Sequence, residues 1–157
     1  MSNYTIVGEA KGVKVQELWR WYTDFRSDDS EILDREGVDM RGAKTLYRNV
    51  TKEGDQVHID QAVQWRKRRI EMSLDITLHP ENLTYDVVGG VKGLLHETRH
   101  YTFTQSPNGA DVGATVVSQP LSLLGRLIGS VARKGSQQTM DAYVRAAQKE
   151  LAGQRIP

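Results

Sequence analysis

The chain has 157 residues, of which 38% are hydrophobic and 26% charged, and its formal net charge is +1. This balance is typical of one globular domain, residues 1–157, and excludes an intrinsically disordered chain. The small net charge provides no global field for nucleic acid or an anionic membrane, and the lack of cysteine excludes disulfides, thiol nucleophiles and cysteine zinc sites. The sequence shows neither a signal-peptide pattern nor a long apolar run, so we expect a cytoplasmic protein with no nucleic-acid partner and at most transient membrane contact.

The first part of the chain predicts one strand and two helices. Residues 4–10, YTIVGEA, have the composition of a short strand. Residues 13–25 carry apolar side chains near the i, i+3, i+4, i+7 spacing of an amphipathic helix, namely Val15, Leu18, Trp19, Tyr22 and Phe25. The string SDDSEILD then begins with Ser27, a favourable N-cap, and continues with acidic residues, which predicts a second, short helix.

Between residues 44 and 119 the apolar residues alternate with period two. In RRIEMSLDITL the apolar side chains lie on one face and Glu71, Ser73, Asp75 and Thr77 on the other, as in a strand with one buried and one solvated face. Short turns separate six such segments, which predicts an antiparallel meander. The segments are KTLYRNVTK, DQVHIDQAVQW, RRIEMSLDITL, LTYDVVGG, LLHETRHYTFTQ and ADVGATVVSQ.

Pro120 ends the predicted sheet, and residues 121–151 predict one long helix. Apolar and small residues fall near one side of it, namely Leu121, Leu124, Ile128, Val131, Gly135, Ala142, Tyr143 and Ala146. Gly125, Gly129 and Gly135 each cost about 1 kcal/mol relative to Ala inside a helix. We expect this cost to be offset by close packing against the sheet or by room for a bound molecule, and a kink or break near residues 134–136 is the alternative. A long helix is the natural cover for one face of the sheet.

This order of elements resembles the START-like helix-grip superfamily, which includes polyketide cyclases/dehydrases and lipid-transfer proteins. The resemblance lies in the opening strand YTIVGEA, the helix VQELWRWYTDF, the hairpin SPNGADVGATVV and the helix opening LLGRLIGSVARKG. It implies an α+β fold in which a curved seven-stranded antiparallel sheet wraps around the long C-terminal helix, with two short helices after the first strand and an apolar cavity inside. Members bind lipids, sterols, polyketides, plant hormones or aromatic intermediates, and some catalyse cyclisation or dehydration. We accordingly predict no catalytic residue, cofactor or metal.

The string His96-Glu97-Thr98-Arg99-His100 matches the zinc-protease motif H-E-x-x-H. The motif works on a helix, where histidines four residues apart are about 5–6 Å from each other. On a strand the same two positions are separated by about 13 Å at 3.3 Å per residue, too far to share one zinc ion. Because Thr98, Tyr101 and Phe103 favour a strand, we predict that this string is not a zinc site.

On a strand, Glu97 and Arg99 share a face with Leu95, Tyr101 and Phe103. This face is the more apolar one, so we expect it to line the cavity, with Glu97 and Arg99 paired and orienting the polar end of a ligand. The alternative is that a bulge shifts the register and leaves both residues solvated at the rim.

Three other polar clusters have simpler interpretations. The basic string at residues 66–69, RKRR, lies at an expected hairpin turn, and we interpret it as solvated; contact with an anionic membrane, phosphate or RNA is the alternative. His58 and Asp60 are interpreted as surface residues rather than half of a metal site, and His79 precedes a turn proline.

We predict that the protein binds a hydrophobic or amphipathic small molecule such as a lipid, polyketide or aromatic intermediate, with transport of that molecule as an extension of binding. The candidate ligand-binding residues are Trp65, Met72, Tyr85, Glu97, Arg99, Tyr101, Leu124, Ile128 and Tyr143. The first alternative is a cyclase or dehydratase that uses Glu97 or a tyrosine as acid or base. The second is a protein-interaction module of chaperone-cofactor type, for which an exposed apolar patch would be the signature.

Overall fold

A computed structural model describes residues 2–38 and 42–155. Seven strands form one antiparallel sheet in the spatial order β1-β7-β6-β5-β4-β3-β2. The strands are β1 (Ser2–Lys11), β2 (Lys44–Glu53), β3 (Gln56–Trp65), β4 (Arg68–His79), β5 (Thr84–Val91), β6 (Leu95–Ser106) and β7 (Gly109–Pro120). The helices are α1 (Val15–Thr23), α2 (Ser30–Arg35) and α3 (Leu123–Arg155). The predicted meander, the short helices and the long C-terminal helix are confirmed.

The alternation in β4 determines which face of the sheet is buried. Ile76 is 2% exposed, and Leu74 and Leu78 pack against the same core. Ser73 and Asp75 are exposed on the opposite face. We call the face that carries Leu74, Ile76 and Leu78 the concave face, and the other the convex face.

The helices bury the concave face mainly over β1, β7 and β6. In α1, Leu18 is fully buried, and the ring of Trp19 meets that of Phe103 edge-on at 5.4 Å. α3 lies closest to β1, where Gly8 leaves so little room that an added Cβ would be 2.9 Å from a methyl of Val144. This glycine therefore sets the close distance between β1 and α3.

Glutamine side chains of α3 occupy the free edge of β1. The amide of Gln137 accepts from the backbone N–H of Val7 (3.3 Å) and donates to the Val7 carbonyl (2.8 Å). The side-chain oxygen of Gln148 accepts from the N–H of Lys11 at 2.8 Å. α3 is thus tied to the sheet by hydrogen bonds as well as by apolar contacts.

The helix boundaries differ from the sequence predictions. α1 is shorter than residues 13–25, and the prediction of Ser27 as N-cap of the second helix is wrong, because α2 begins at Ser30 with Asp29 as its N-cap. The backbone N–H of Arg26 donates to the Asp29 carboxylate at 2.9 Å. This contact accompanies a turn at residues 27–29, and the N-cap lies two positions later than predicted.

α3 begins two residues later than predicted and runs without a break past residues 134–136. The hydroxyl of Ser122 accepts from the N–H of Gly125 at 3.1 Å and so caps the first turn. A Cβ at Gly125 would lie 1.8 Å from the Leu94 carbonyl oxygen. Close packing therefore explains Gly125, whereas Gly135 has open space around it.

Candidate functional site

The HETRH string lies on strand β6, as the β-branched and aromatic residues in and after it predicted. His96 and His100 are exposed on the convex face, and His100 Nδ1 lies 2.6 Å from Asp86 Oδ1. Asp86 also bonds to His79 at 3.0 Å, and these histidines hold the pKa of Asp86 below its usual range. Among the described residues, no group of three or more His, Asp and Glu side chains is arranged to hold a metal ion.

Glu97 and Arg99 lie on the concave face, in regular pairing with β5 and β7. Glu97 is opposite Gly89 on one side and Ser118 on the other, and the register shows no bulge here. The side chains of Glu97 and Arg99 are 14% and 22% exposed, and Arg99 Nη2 donates to Glu97 Oε2 at 3.0 Å. The register shift that would leave the pair solvated does not occur.

α3 and β1 complete a polar cluster around this ion pair. Arg99 Nη2 also donates to the hydroxyl of Ser136 at 3.1 Å, and Ser136 lies 3.2 Å from the hydroxyl of Tyr4. Arg99 Nη1 reaches the Tyr101 hydroxyl at 3.5 Å. We call Tyr4, Glu97, Arg99, Tyr101 and Ser136 the polar cluster.

The guanidinium of Arg99 remains charged in this environment. Burial by itself lowers the pKa of Arg99, but the neighbouring Tyr101 and Glu97 outweigh burial and raise it. A charged group held between a sheet and a helix is costly unless it is paired and hydrogen-bonded. The polar cluster supplies those partners.

Aromatic rings fill the space next to the polar cluster. Tyr85 and Tyr101 are stacked with ring centroids 4.4 Å apart, and Tyr22 meets Phe103 edge-on at 5.3 Å. Burial raises the pKa of Tyr22 and Tyr85 well above the usual value and that of Tyr143 to about 12. We call the following residues the aromatic cluster: Trp19, Trp21, Tyr22, Phe25, Tyr85, Tyr101, Phe103 and Tyr143.

Two hydroxyl groups at the site were not singled out by the sequence. Tyr22 Oη and Ser118 Oγ are buried and have no hydrogen-bond partner within the described part of the chain. Ser118 lies opposite Glu97 and follows Val112, Ala114 and Val116 on the same face of β7. A serine at the next alternate position of an otherwise apolar strand face is the sequence signal that could have identified Ser118.

The predicted ligand residues separate into two groups. The structure brings Tyr85, Glu97, Arg99 and Tyr101 together, and Tyr143 joins the aromatic cluster through Tyr22 at 6.1 Å.

The other four are half-buried and lie elsewhere. Trp65 stacks under the guanidinium of Arg66 at 5.1 Å, at the β3–β4 turn. Met72 lies opposite Gln61, and Leu124 and Ile128 are in the first turns of α3.

Two depressions on the molecule are open to solvent. One, of about 560 Å³, lies along α3 and is lined by Ser130, Arg133, Lys134, Gln137 and Gln138. The other, of about 150 Å³, is lined by Arg68, Arg69, Ile70, Glu71, Val91, Lys92 and Leu94. Neither includes a predicted ligand residue.

No family model matches the sequence, and no curated protein matches it. Solved structures do match. TTHA0849 from Thermus thermophilus superposes with a TM-score of 0.66 at 11% identity, over 99% of this chain and 100% of that one. Ara h 8.0201 superposes with a TM-score of 0.65 at 12% identity, over 94% of this chain and 99% of that one. The Zhui aromatase/cyclase from a Streptomyces species superposes with a TM-score of 0.62 at 10% identity, over 96% of this chain and 94% of that one. The chain therefore has the START-like helix-grip fold, as the sequence resemblance predicted.

Proposed function

We propose that the protein binds a neutral, amphipathic, ring-containing small molecule between the concave face and α3, and that it does so in the cytoplasm. The observation that carries the proposal is the ion pair of Glu97 and Arg99, held beneath α3 by Ser136 beside the stacked rings of Tyr85 and Tyr101. Apolar surface gives affinity at such sites, and a few placed polar groups give orientation.

The polar cluster selects the chemistry of the ligand's polar end. Arg99 has only N–H donors and Glu97 only acceptor oxygens when ionised, so together they suit a ligand with a carbonyl beside a hydroxyl. Their charges cancel at 3.0 Å, which leaves no net attraction for a strongly ionic group. A hydroxyketone or a similar polyketide-like or phenolic group fits this arrangement better than a carboxylate or phosphate.

The neighbouring surface suits a flat apolar body. Aromatic rings prefer stacked or edge-on partners, and both arrangements occur here: Tyr85 stacks on Tyr101, and Trp19 meets Phe103 edge-on. Gly89, paired with Leu74 on one side and Glu97 on the other, contributes no side chain to this surface. The unpartnered hydroxyl of Ser118, opposite Glu97, offers one further hydrogen bond.

The test compares two probes, 1-hydroxyanthraquinone and its oxygen-free counterpart anthracene, by quenching of tryptophan fluorescence. The double variant E97Q/R99M removes both charges without leaving one buried and unpaired. We expect this variant to bind hydroxyanthraquinone about tenfold more weakly. A hydrogen bond to a charged group contributes about 1.5–3 kcal/mol, and the neutral side chains of the variant recover part of that. Its affinity for anthracene should not change.

Arg145→Met is the matched control, because Arg145 is also an arginine paired with a glutamate, Glu36, but lies on α3 and is 47% accessible. It should bind both probes like the wild type. Equal affinity of E97Q/R99M and wild type for hydroxyanthraquinone, with both proteins folded by circular dichroism, would contradict the proposed role of the polar cluster.

A cyclase or dehydratase acting on such a ligand is the second candidate. It is favoured by the similarity to the Zhui aromatase/cyclase and by the interior position of the Glu97 carboxylate, 14% exposed. Incubation with a linear poly-β-ketone followed by mass spectrometry tests it, since dehydration removes one water from the product. Loss of that product in Glu97→Gln, with hydroxyanthraquinone binding retained, would favour the enzyme over the carrier.

A further inference from the structure

The first half of α3 carries an apolar stripe that faces solvent. Leu123 is 77% exposed, Leu127 63% and Val131 53%, and their i, i+4, i+8 spacing aligns them along one side of the helix. Leu121, just before the helix, is 56% exposed. We call these four residues the apolar stripe. Single exposed leucines are ordinary, but a continuous row of them marks an interaction surface.

The charged residues in the chain segment that carries the apolar stripe are all basic. Residues 121–140 contain Arg126, Arg133 and Lys134 and neither Asp nor Glu. Arg126, Arg133 and Lys134 are exposed. The net charge of +1 for the whole chain therefore conceals a local excess of positive charge. Such a surface is complementary to an anionic one.

The start of α3 is joined to two further basic turns. The N–H of Leu121 donates to the Leu94 carbonyl at 2.9 Å, and Gly125 packs directly on the same carbonyl. The N–H of Lys92 in turn donates to the Glu71 carbonyl at 2.9 Å, which places the β5–β6 turn beside β4.

Arg68, Arg69, Lys92 and Leu94 line one shared depression there, together with the single acid Glu71. We call Arg68, Arg69, Lys92, Arg126, Arg133 and Lys134 the basic rim.

We propose that the apolar stripe docks on an anionic lipid bilayer, with the stripe in the interfacial layer and the basic rim against the headgroups. A helix with apolar residues on one side and Lys and Arg flanking them lies in the membrane interface in this way. No helix among residues 2–38 and 42–155 is long and apolar enough to cross a membrane.

The basic rim also favours a lipid bilayer over a second copy of the chain or a nucleic acid as the binding partner. A second copy of the chain packed stripe to stripe would bring Arg126, Arg133 and Lys134 against the same cations of its partner, which is unfavourable. Nucleic acid would match the cations but leave Leu123 and Leu127 in water. An anionic bilayer supplies both negative headgroups and an adjoining apolar layer.

The test measures flotation of the full chain with phosphatidylcholine vesicles and with vesicles containing about a third phosphatidylserine, a mixture chosen to give a strongly negative surface. We expect binding to the anionic vesicles only, weakened by added salt. Leu127→Ser should reduce it roughly tenfold, the scale expected for burying part of a leucine. Val88→Ser is the matched control, since Val88 is 46% exposed on β5, away from α3, and should bind like the wild type.

The basic rim is tested by Arg126→Gln against Arg20→Gln, an exposed arginine on α1. Each cation near an anionic surface changes affinity about fivefold, so Arg126→Gln should weaken binding by that factor and Arg20→Gln should not. All four variants change exposed side chains, and their unfolding midpoints should match the wild type. Absence of flotation, equal loss in Leu127→Ser and Val88→Ser, or a dimer that Leu127→Ser dissociates would overturn the proposal.

Discussion

The two halves of α3 share one continuous helix but lie in different surroundings. In residues 139–151 the inward positions are buried, namely Met140, Ala142, Val144, Ala146, Ala147 and Leu151. In residues 123–138 only Gly125 is buried, and the large apolar side chains of Leu123, Leu127 and Val131 face solvent. Apolar spacing is therefore present along the whole helix, but only one half of it corresponds to the protein core.

The difference arises from what covers each half. The second half is enclosed by β1, by α2 and by α1, where Trp21 Nε1 donates to Glu150 and Lys149 donates to Glu36 at 2.9 Å. The first half contacts the sheet at Leu94 and Leu95 near its start. Near its end it contacts the sheet through the polar side chains of Ser136 and Gln137. The second half is thus packed into the core through its apolar side chains, whereas the large apolar side chains of the first half stay exposed.

The largest expected effect comes from truncating one apolar side chain in each half. Met140→Ala should lower the free energy of unfolding by about 3 kcal/mol, because it leaves a cavity against β1. Leu127→Ala should change it by no more than about 0.5 kcal/mol, as for most exposed sites. Urea denaturation of both variants measures the difference. Similar decreases in the free energy of unfolding for both variants would mean that the two halves of α3 are equally packed, which would contradict the difference described above.

Adding one methyl group at two glycines gives effects of opposite sign. Gly125→Ala should destabilise by about 2 kcal/mol, because its Cβ would lie 1.8 Å from the Leu94 carbonyl oxygen. Gly135→Ala meets no atom within 4 Å and should stabilise by about 0.5–1 kcal/mol through helix propensity. Thermal unfolding of the two variants tests both signs. A stabilised Gly125→Ala would show that the β5–β6 turn does not hold the first half of α3.

The smallest effect is a pH dependence of the contact between α2 and the second half. The hydrogen bond from Lys149 lowers the pKa of Glu36, and Arg145 adds to this. Because the folded pKa lies below the unfolded value of about 4.3, the contribution of Glu36 is present above that pH and is lost as the pH falls through the folded pKa.

Glu36→Gln should therefore lower stability by less than about 1 kcal/mol at neutral pH, with the difference from wild type disappearing in acid. Glu31→Gln, on the exposed side of α2, is the control. Urea titrations at several pH values measure the difference, and one that grows on acidification would contradict the assigned sign.

Local sequence pattern predicted most of the fold. The alternation through β3, β4 and β6 predicted the strands and placed Glu97 and Arg99 on the concave face, because a strand without a bulge allows only two orientations. The same rule excluded His96 and His100 as a zinc pair. Helix ends were less predictable, since the turn before α2 depends on one contact between Arg26 and Asp29 that competes with a good N-cap at Ser27.

The composition of the candidate site depends on contacts between distant positions. Arg99 and Ser136 are 37 residues apart, and neither the strand pattern nor the helix pattern indicates that they meet. The division of α3 is also invisible in sequence, because Leu127 and Met140 both lie at apolar positions. Only the arrangement of α1, α2 and β1 around the second half distinguishes them.

The side chain of Gln137 has a consequence for how the sheet can associate. An exposed edge strand is a template for pairing with another chain. On β1, the single amide of Gln137 satisfies both the N–H and the carbonyl of Val7, as a neighbouring strand would. The backbone of Val7 is therefore not free to pair with an added strand, so Gln137→Ala should make the protein more prone to form fibrils, as thioflavin fluorescence would measure.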